Sequence, residues 1–341
     1  MATQVQQMAR TIDELTASGK GILAADESPG TLEKRFNEVN APCTEQTRRE
    51  YRELLFSTTR LGDYISGGIL HVETLKQSTA AGVPITQLLT SQGIVPGRKV
   101  DIGTVPLPGF PGEKLTQGLD GLAQRLREYQ QLGARFAKWR AVIGIGAAIP
   151  TPQMIEANAY TLAQYASLCQ QQGLLPIVEP EVLMEGDHSL AVSARVTGEV
   201  LQAVFHALYR QRVALEYILL KPNMVAPGTS CPQQAALEQV AEATLICLRR
   251  NVPAAVPGVF FLSGGQTDTV ATANLNAINA RPDTQPWVLS FSFGRALQAP
   301  ALNAWRGDPQ NRSAAQNALH RRARLNSAAQ AGKYSSPMEI T

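Results

Sequence analysis

The sequence predicts a (β/α)8 barrel. Eight short apolar segments recur along its 341 residues, and amphipathic stretches of helical period separate them. Continuous apolar strands that alternate with helices are typical of parallel β-structure buried on both faces. Eight such units in one chain fit a closed barrel. A doubly wound open sheet is the structural alternative, but no GxGxxG motif follows the first predicted strand.

The predicted strands and helices follow one another without a linker. Strands are expected at residues 21–26, 64–70, 97–101, 136–145, 174–182, 217–225, 259–265 and 287–297. Helical patterns between them include residues 161–172, 193–212, 232–250 and 270–280. Because no internal repeat or low-complexity tract interrupts this order, we expect one domain over residues 1–341, with residues 320–341 as a C-terminal tail.

The composition and the ends of the chain narrow the class of protein. A hydrophobic content of 44% with 17% charged residues is typical of a globular protein. The N-terminal region carries acidic residues and lacks an apolar core, so it predicts an ordinary helix and not a secretory signal. The absence of any run of eighteen apolar residues argues against a membrane span.

Neither nucleic acid nor a metal is an expected partner. The net charge of +3 is small, and the chain has no long basic run. A locally basic segment near the end is either a solvated helix face or an anion-binding patch; it contains His320, Arg321, Arg322 and Arg324. The histidines show no HxH or HxxxH spacing, and the four cysteines form no CxxC pair. A reducing, cytosol-like compartment is therefore the default expectation.

Charged residues lie in or at the ends of strands that are otherwise apolar. They are Asp26, Lys99, Lys138, Arg140, Glu179, Glu181, Lys221 and Arg295. Any single one could be an ion pair between neighbouring strands. Eight together favour a functional site, because each isolated buried charge would be costly to desolvate and the C-terminal strand ends of a barrel carry its active site.

The spacing of these charges indicates chemistry on a carbonyl group. Residues two apart on a strand share a face, so Lys138 lies beside Arg140 and Glu179 beside Glu181. Both pairs are expected to point into one cavity with Lys221. A lysine forms an imine in its uncharged form, which burial and a neighbouring cation both favour. We therefore interpret Lys221 as the nucleophile and a nearby carboxylate as its proton shuttle.

Two segments are candidates for anion binding. The first follows the seventh strand, where Leu262, Ser263, Gly264 and Gly265 precede a helix; Ser292, Gly294 and Arg295 are expected to form its second wall. The second follows the first strand and comprises Ser28, Thr31 and Arg35, with Lys99 close by. A tight turn is the alternative for the glycines, and helix capping is the alternative for Ser28.

Long motifs in this sequence resemble those of class I fructose-1,6-bisphosphate aldolases. They are KGILAADESPGTLEKRF, KVDIGTVPL, TQGLDGL, GARFAKWR, PIVEPEV, ILLKPNMV, FLSGGQ and SFSFGRALQ, and the match extends from about Lys20 to Tyr334. The segment YQQLGARFAKWR most resembles the sequences of the plastid and bacterial branch of this family. The resemblance implies a metal-independent barrel lyase without a cofactor that cleaves fructose 1,6-bisphosphate, in glycolysis, gluconeogenesis or the Calvin cycle.

The resemblance also implies a role for each matching position. Lys221 corresponds to the imine-forming lysine, Glu179 to its general acid/base, and Glu181 to a carboxylate that tunes this proton transfer. Asp26 corresponds to the acid/base at the C3–C4 bond, and Lys138 to a lysine that positions the substrate. The C1 phosphate would bind at Ser263, Gly264, Gly265, Ser292, Gly294 and Arg295. The C6 phosphate would bind near Ser28, Thr31, Arg35, Lys99 and Arg140, with Arg48 a less certain member.

Two positions depart from the family pattern. Thr31 stands where many members carry serine, and its hydroxyl is retained. The segment KYSSPMEIT occupies the place where animal members continue into a tail that ends in tyrosine, a residue implicated in protonating the carbanion. Because Thr341 lacks a comparably acidic hydroxyl, either another group takes that role or the tail contributes little.

The family implies a homotetramer in the cytoplasm, or in a plastid stroma if a transit peptide has been removed. Three alternatives stay open at this point. A transaldolase would also form an imine in a barrel, but its substrates carry one phosphate. Sedoheptulose 1,7-bisphosphate would use the same residues as the fructose bisphosphate. A non-catalytic binding protein would be expected to have lost the buried lysine or its carboxylates, and this chain retains them.

Overall fold

The computed structural model describes residues 2–340, and its main sheet is a closed barrel of eight parallel strands. In chain order the strands are β1 (Gly21–Ala25), β2 (Ile65–Leu70), β3 (Val95–Lys99), β4 (Thr104–Pro106), β5 (Lys114–Thr116), β6 (Phe136–Ile143), β7 (Leu175–Val182), β8 (Leu219–Leu220), β9 (Gly258–Phe261) and β10 (Val288–Phe293). The barrel contains all of them except β4 and β5, which pair as an antiparallel hairpin between β3 and β6. The predicted (β/α)8 class is therefore confirmed.

Helices follow the barrel strands and surround them. They are α1 (Ala2–Leu15), α2 (Pro29–Glu38), α3 (Glu45–Phe56), α4 (Val72–Lys76), α5 (Ile85–Ser91), α6 (Leu122–Gln131), α7 (Pro152–Gln171), α8 (Leu190–Arg210), α9 (Leu237–Asn251), α10 (Asp268–Asn279), α11 (Arg295–Trp305) and α12 (Arg312–Gln330). Short 3₁₀ turns lie at Leu61–Asp63, Leu215–Tyr217, Pro309–Asn311 and Ser336–Glu339. Among the described residues, none of these helices is both long enough and apolar enough to cross a bilayer.

Each predicted strand segment overlaps a barrel strand, although the boundaries differ. The segment predicted at 217–225 contains only the two residues of β8, because Pro222 has no N–H with which to extend the ladder. The backbone N–H of Lys221 makes the last such bond, to the carbonyl of Val178 at 2.8 Å. Arg295 was expected on the eighth strand, but it is the first residue of α11. The hairpin of β4 and β5 was missed because three-residue strands carry little periodicity.

The half of the barrel interior at the N-terminal ends of the strands is apolar. Side chains from seven of the barrel strands meet there and include Ile22, Ile69, Val95, Phe136, Leu175, Leu219 and Phe260. Helix α1 closes the N-terminal end, since Ile12 and Leu15 belong to the same cluster. Gly97 leaves room for this packing, because a Cβ atom there would lie 2.1 Å from the ring of Phe136. The apolar interior excludes water beneath the charged residues at the other end.

Residues 320–330 of the expected C-terminal tail belong to helix α12. The basic segment was expected either to face solvent or to bind anions. Arg324 is exposed, but Arg322 is 4% exposed and does not belong to a solvated face. Its partners include Thr272 of α10 and Glu339 of the last 3₁₀ turn. Thr341 lies outside the described residues.

Candidate active site

Four charged side chains meet at the C-terminal end of the barrel interior. The Nζ atom of Lys138 lies 2.8 Å from Oδ2 of Asp26 and 2.9 Å from Oε2 of Glu179. The other carboxylate oxygen of Glu179, Oε1, lies 3.1 Å from Nζ of Lys221. All four residues are buried. We call these four residues the inner cluster; it brings together two cations and two carboxylates that are far apart in the sequence.

The alternation of side chains along the strands explains why the inner cluster lies directly above the apolar interior. Each member follows, by two positions, an apolar residue that points into the barrel: Ala24 before Asp26, Phe136 before Lys138, Ile177 before Glu179 and Leu219 before Lys221. Residues at this spacing share a face of the strand. Trp139 points the other way and stacks on Tyr165 of α7, with 5.5 Å between ring centroids. The predicted orientation of this strand is therefore confirmed.

Mutual attraction keeps the carboxylates and Lys138 ionised despite their burial. Burial alone favours the neutral form of each group. For Lys138, the charges of Asp26 and Glu179 outweigh burial and raise its pKa. Burial also opposes ionisation of Asp26 and Glu179, but Lys138 and then Lys221 outweigh it and lower both pKa values. Removal of one charge would leave a partner unpaired, which costs on the order of 3–5 kcal/mol for a buried pair.

A second group of charges lies nearer the mouth of the barrel. Arg140 forms an ion pair with Glu181 on the neighbouring strand. Lys99, at the end of β3, forms an ion pair with Asp101. Oδ2 of Asp101 also accepts a hydrogen bond of 3.3 Å from the backbone N–H of Arg140. One ion pair and one hydrogen bond therefore join the ends of β3, β6 and β7, and each cation has a carboxylate partner.

The loop between β9 and α10 combines glycines with the start of a helix. Residues 262–267 form this loop, and Thr267 caps α10 by accepting a hydrogen bond of 3.3 Å from the N–H of Val270. Gly265 has a left-handed backbone with φ of +76°. A Cβ atom at Gly264 would lie 2.6 Å from Oε1 of Glu181, so only glycine fits without displacing that carboxylate. Free backbone N–H groups beside a helix N-terminus favour an anion.

The neighbouring loop between β10 and α11 presents a second set of polar groups. Ser292 is 1% exposed, and its hydroxyl has no hydrogen-bond partner within residues 2–340. Gly294 precedes the first turn of α11, and Arg295 is exposed at the start of that helix. Because β9 and β10 are adjacent, the two loops share one side of the barrel mouth. The sequence-predicted phosphate residues after the seventh and eighth barrel strands are thus brought to one place.

The other predicted anion site lies at the start of α2. Ser28 caps this helix, with its hydroxyl 3.3 Å from the N–H of Thr31 and 3.0 Å from that residue's hydroxyl. The capping interpretation of Ser28 is therefore correct, and it leaves both hydroxyls at a helix N-terminus. Arg35 forms an ion pair with Glu27. Arg48 instead contacts Glu73 of α4, with 2.6 Å between Nη2 and Oε1.

Sequence reasoning missed the partners that hold these cations. The side chain of Glu27 is 7% exposed and also accepts hydrogen bonds of 2.7 Å from Arg52 and 2.8 Å from Gln298. Burial is the largest single influence and opposes ionisation of Glu27, but Arg52 and Arg35 together outweigh it and lower its pKa. Asp101 is likewise the ion-pair partner of Lys99. Both carboxylates lie within motifs quoted above, Glu27 in KGILAADESPGTLEKRF and Asp101 in KVDIGTVPL, and their place in these motifs was the available signal.

Metal ligands are not grouped in this site. Among residues 2–340, no three histidine, cysteine, aspartate or glutamate side chains are arranged to hold a metal ion. The cations of the site are its lysines and arginines, and they face carboxylates. The fold and the inner cluster together define a barrel protein with a buried lysine–carboxylate centre and two glycine- or hydroxyl-lined rims.

Comparison with known proteins places the chain in a family. The family model described as Fructose-bisphosphate aldolase class-I matches residues 7–340. A probable fructose-bisphosphate aldolase class 1 of Xylella fastidiosa (strain 9a5c) is 54% identical over 331 residues, which is 97% of this chain and 99% of that protein. The cytoplasmic isozyme 2 of fructose-bisphosphate aldolase from Pisum sativum is 53% identical over 94% of this chain and 92% of its own.

A solved structure agrees with these relatives. Fructose-bisphosphate aldolase from Plasmodium falciparum, in a ternary complex with TRAP and a small-molecule inhibitor, superposes with a TM-score of 0.97. It is 50% identical and covers 98% of this chain and 97% of its own. The chain belongs to the class I fructose-bisphosphate aldolase family, which is a family of lyases.

Proposed function

We propose that this protein cleaves fructose 1,6-bisphosphate reversibly into dihydroxyacetone phosphate and glyceraldehyde 3-phosphate through an imine on Lys221. The observation that supports the proposal is the distance of 3.1 Å between Nζ of Lys221 and Oε1 of Glu179. Both side chains lie directly above the apolar cluster in the barrel interior. An amine nucleophile and a general acid/base within this reach suit the formation of a carbinolamine. No metal is required for this chemistry, since the iminium itself withdraws electrons.

Imine formation begins when Glu179 takes a proton from Nζ of Lys221 and the resulting amine attacks the C2 ketone; a proton then moves from the amine nitrogen to the ketone oxygen to give the carbinolamine. Glu179 returns its proton to the carbinolamine hydroxyl, water leaves, and the C=N bond of the iminium forms. The iminium carries the same positive charge as the ammonium it replaces, so the inner cluster keeps its balance of two cations and two carboxylates. Because these groups are already in place, they stabilise the charged intermediate with little reorganisation.

Cleavage then depends on Asp26 and Lys138. Asp26 takes the proton of the C4 hydroxyl, the C3–C4 bond breaks, and its electron pair moves into the iminium to give an enamine. Lys138 lies between Asp26 and Glu179 and holds both carboxylates ionised. Glyceraldehyde 3-phosphate leaves first. Asp26 then gives up the proton that it took, the enamine takes a proton at C3, and hydrolysis of the C=N bond releases dihydroxyacetone phosphate and restores Lys221.

The two phosphates are proposed to bind at opposite rims. The C1 phosphate would occupy the β9–α10 and β10–α11 loops, which contribute Ser263, Gly264, Gly265, Ser292, Gly294 and Arg295. The C6 phosphate would bind at the start of α2 and beside β3 and β6, where Ser28, Thr31, Arg35, Lys99 and Arg140 lie. Each cation of this second group has a carboxylate partner in the structure, which the phosphate would replace or share. Glu181 would tune the cluster through its contact with Arg140.

Borohydride trapping tests the imine directly. Reduction in the presence of dihydroxyacetone phosphate should inactivate the enzyme and leave an adduct on the Lys221 peptide, identified by mass spectrometry. Lys221→Arg should give no adduct, whereas Lys20→Arg, a change at the opposite end of the barrel, should give the full amount. Cleavage that resists borohydride but is abolished by a chelator would overturn the proposal.

The same site can accommodate a longer bisphosphate. Sedoheptulose 1,7-bisphosphate would use both rims and the same lysine, whereas a transaldolase substrate with one phosphate would leave one rim empty. A comparison of kcat/KM for the two bisphosphates measures the preference. We place the reaction in glycolysis, gluconeogenesis or the Calvin cycle, in the cytoplasm; the name of the pea relative supports this location.

We also propose that residues 1–341 act as one barrel domain within a homotetramer. A groove of about 1130 Å³ lies between α7 and α8, and it is lined by apolar and polar groups that include Ile155, Tyr160, Ala203 and His206. Tyr160 is 52% exposed there, and a large exposed aromatic side chain suits a subunit contact. Light scattering after size-exclusion chromatography should give the mass of a tetramer, and Tyr160→Asp should reduce it. A wild-type protein that stays monomeric at micromolar concentration would exclude this assembly.

A further inference from the structure

Arg322 is a buried arginine that connects three segments outside the inner cluster. Its Nη1 lies 2.9 Å from Oε2 of Glu339, and its Nη2 lies 2.8 Å from Oε1 of the same carboxylate. Nη2 also donates to the hydroxyl of Thr272 at 2.7 Å, and Nη1 lies 3.7 Å from Oδ2 of Asp268. The hydroxyl of Tyr334 donates to Glu339 at 2.8 Å. We call these five residues the tail clamp.

The segment that ends in the tail clamp lies along the full length of α10. It starts beside the C-terminal end of this helix, where a Cβ atom at Gly332 would lie 3.1 Å from Cα of Ala280. One turn further, the N–H of Tyr334 donates to the side chain of Asn276 at 2.8 Å. Glu339 is then connected through Arg322 to the first turn of the helix at Asp268. The segment therefore runs from the closed end of the barrel towards the end that carries the inner cluster.

The first turn of α10 directly follows the loop between β9 and α10. Asp268 follows Gly265 by three residues, and its backbone N–H belongs to the helix N-terminus that faces the loop. A bidentate contact between arginine and carboxylate fixes both orientation and distance. Burial opposes ionisation of Glu339, but its hydrogen bonds from Arg322 and Tyr334 outweigh burial and lower its pKa. The carboxylate is therefore charged near neutral pH and able to hold Arg322.

We infer that Glu339 and Arg322 are positioning residues for the anion-binding loop between β9 and α10. By holding Arg322 against Asp268 and Thr272, Glu339 fixes the first turn of α10, so that its N–H groups and those of Gly264 and Gly265 are preorganised for a phosphate. This inference rests on the proposed function for the identity of the anion. It assigns the C-terminal segment a part in phosphate binding.

The test measures phosphate binding separately from turnover. Hydrogen exchange of residues 262–268 is followed as inorganic phosphate is titrated into the full-length protein, which gives a site-resolved Kd. Glu339→Gln should raise this Kd about tenfold, the size expected when a distant contact orders a binding loop. KM for fructose 1,6-bisphosphate should rise by a similar factor while kcat stays within about twofold. Glu339→Asp should restore most of the affinity.

Glu238→Gln is the matched control, because Glu238 is exposed in the first turn of α9 and takes no part in the clamp. It should leave the Kd unchanged. If Glu339→Gln does not fold, Tyr334→Phe, which removes only one donor to Glu339, should still raise the Kd. An unchanged phosphate Kd in the folded variant overturns the inference. A wild-type protein that binds phosphate in the loop but does not cleave the bisphosphate would instead overturn the proposed function.

Discussion

Glu179 holds its Oε1 atom 3.1 Å from Nζ of Lys221, and its opposite oxygen lies 2.9 Å from Nζ of Lys138. One carboxylate therefore contacts both buried lysines, each from a different strand. Lys138 helps to keep Glu179 ionised, because its charge lowers the pKa of Glu179 against the effect of burial. A carboxylate in this position can exchange protons with Lys221 and its adducts while Lys138 retains its own proton.

Replacement of Glu179 by glutamine should slow imine formation. The amide keeps the shape of the side chain but cannot accept and return a proton, so the rate should fall by about 10²–10⁴, the usual contribution of a general acid/base. Quenched-flow trapping of the Lys221 adduct with borohydride measures this step. Glu185→Gln, at an exposed position in the loop after β7, serves as the control and should form the adduct at the normal rate. Equal rates in both variants would remove Glu179 from this role.

Replacement of Asp26 by asparagine should affect the other half of the reaction. Lys138 would keep Glu179 as its partner, so the inner cluster should remain folded around Lys221. Cleavage of the C3–C4 bond should slow by about 10²–10⁴ because the C4 hydroxyl loses its base. The adduct with dihydroxyacetone phosphate should still form, as shown by mass spectrometry of the reduced protein. Loss of the adduct together with cleavage would show that Asp26 acts earlier than proposed.

The strands and the inner cluster could be predicted because both follow from local periodicity. An apolar run identifies a barrel strand, and a charge two positions after an inward apolar residue must point into the same interior. Lys138 after Phe136 and Glu179 after Ile177 show this directly. The register between strands then brings Arg140 level with Glu179. Nothing beyond alternation and a closed parallel barrel is required for this part of the site.

The carboxylate partners of the cations outside the inner cluster could not be predicted from the same patterns. Glu27 lies in the connection after β1 and Arg52 lies on α3, 25 residues away, and they meet only through tertiary packing. The burial of Arg322 is a similar case. Helical period alone places it on α12, but the segment that covers it comes from the following residues and is positioned by α10. Such contacts depend on tertiary packing, which a single sequence does not encode in any short window.

Gly264 should be essential for the arrangement of Glu181. In Gly264→Ala, the new methyl group would lie 2.6 Å from Oε1 of Glu181 and 2.8 Å from Leu262, so the loop or the carboxylate must move. We expect KM for the bisphosphate to rise by about tenfold or more, because displacement of a preorganised binding loop is costly. Steady-state kinetics and phosphate titration both report the change. Gly144→Ala, whose Cβ atom would make only an ordinary contact of 3.7 Å with Ile149, should leave KM near the wild-type value.

We expect His71 to give the stability of the protein a pH dependence that is separate from catalysis. It caps α4, and its Nδ1 accepts a hydrogen bond of 3.4 Å from the N–H of Glu73. Burial, followed by the nearby charges of Arg98 and Arg52, lowers the pKa of His71 from 6.5 to about 4. The folded state therefore favours the neutral ring, which is also the form able to accept the capping hydrogen bond.

The sign of the effect follows from this lowered pKa. Above pH 6.5 the ring is neutral in both the folded and the unfolded protein, so its contribution to stability is complete. As the pH falls from 6.5 to about 4, the unfolded state binds a proton that the folded state does not, and the free energy of unfolding decreases. We expect a loss of about 1 kcal/mol over this range, after allowance for the solvent that screens a half-buried ring.

His71→Asn separates this contribution from that of the carboxylates. Asparagine can still accept the hydrogen bond from Glu73 but does not titrate, so its free energy of unfolding should change less between about pH 7 and pH 4.5 than that of the wild type. Urea denaturation at each pH measures both curves. Asp26 and Glu179 have lowered pKa values, and their stabilisation is lost at a lower pH and equally in both proteins. Parallel curves for the wild type and His71→Asn would show that His71 is not the titrating group, whereas a larger loss of stability in the wild type as the pH falls would identify it.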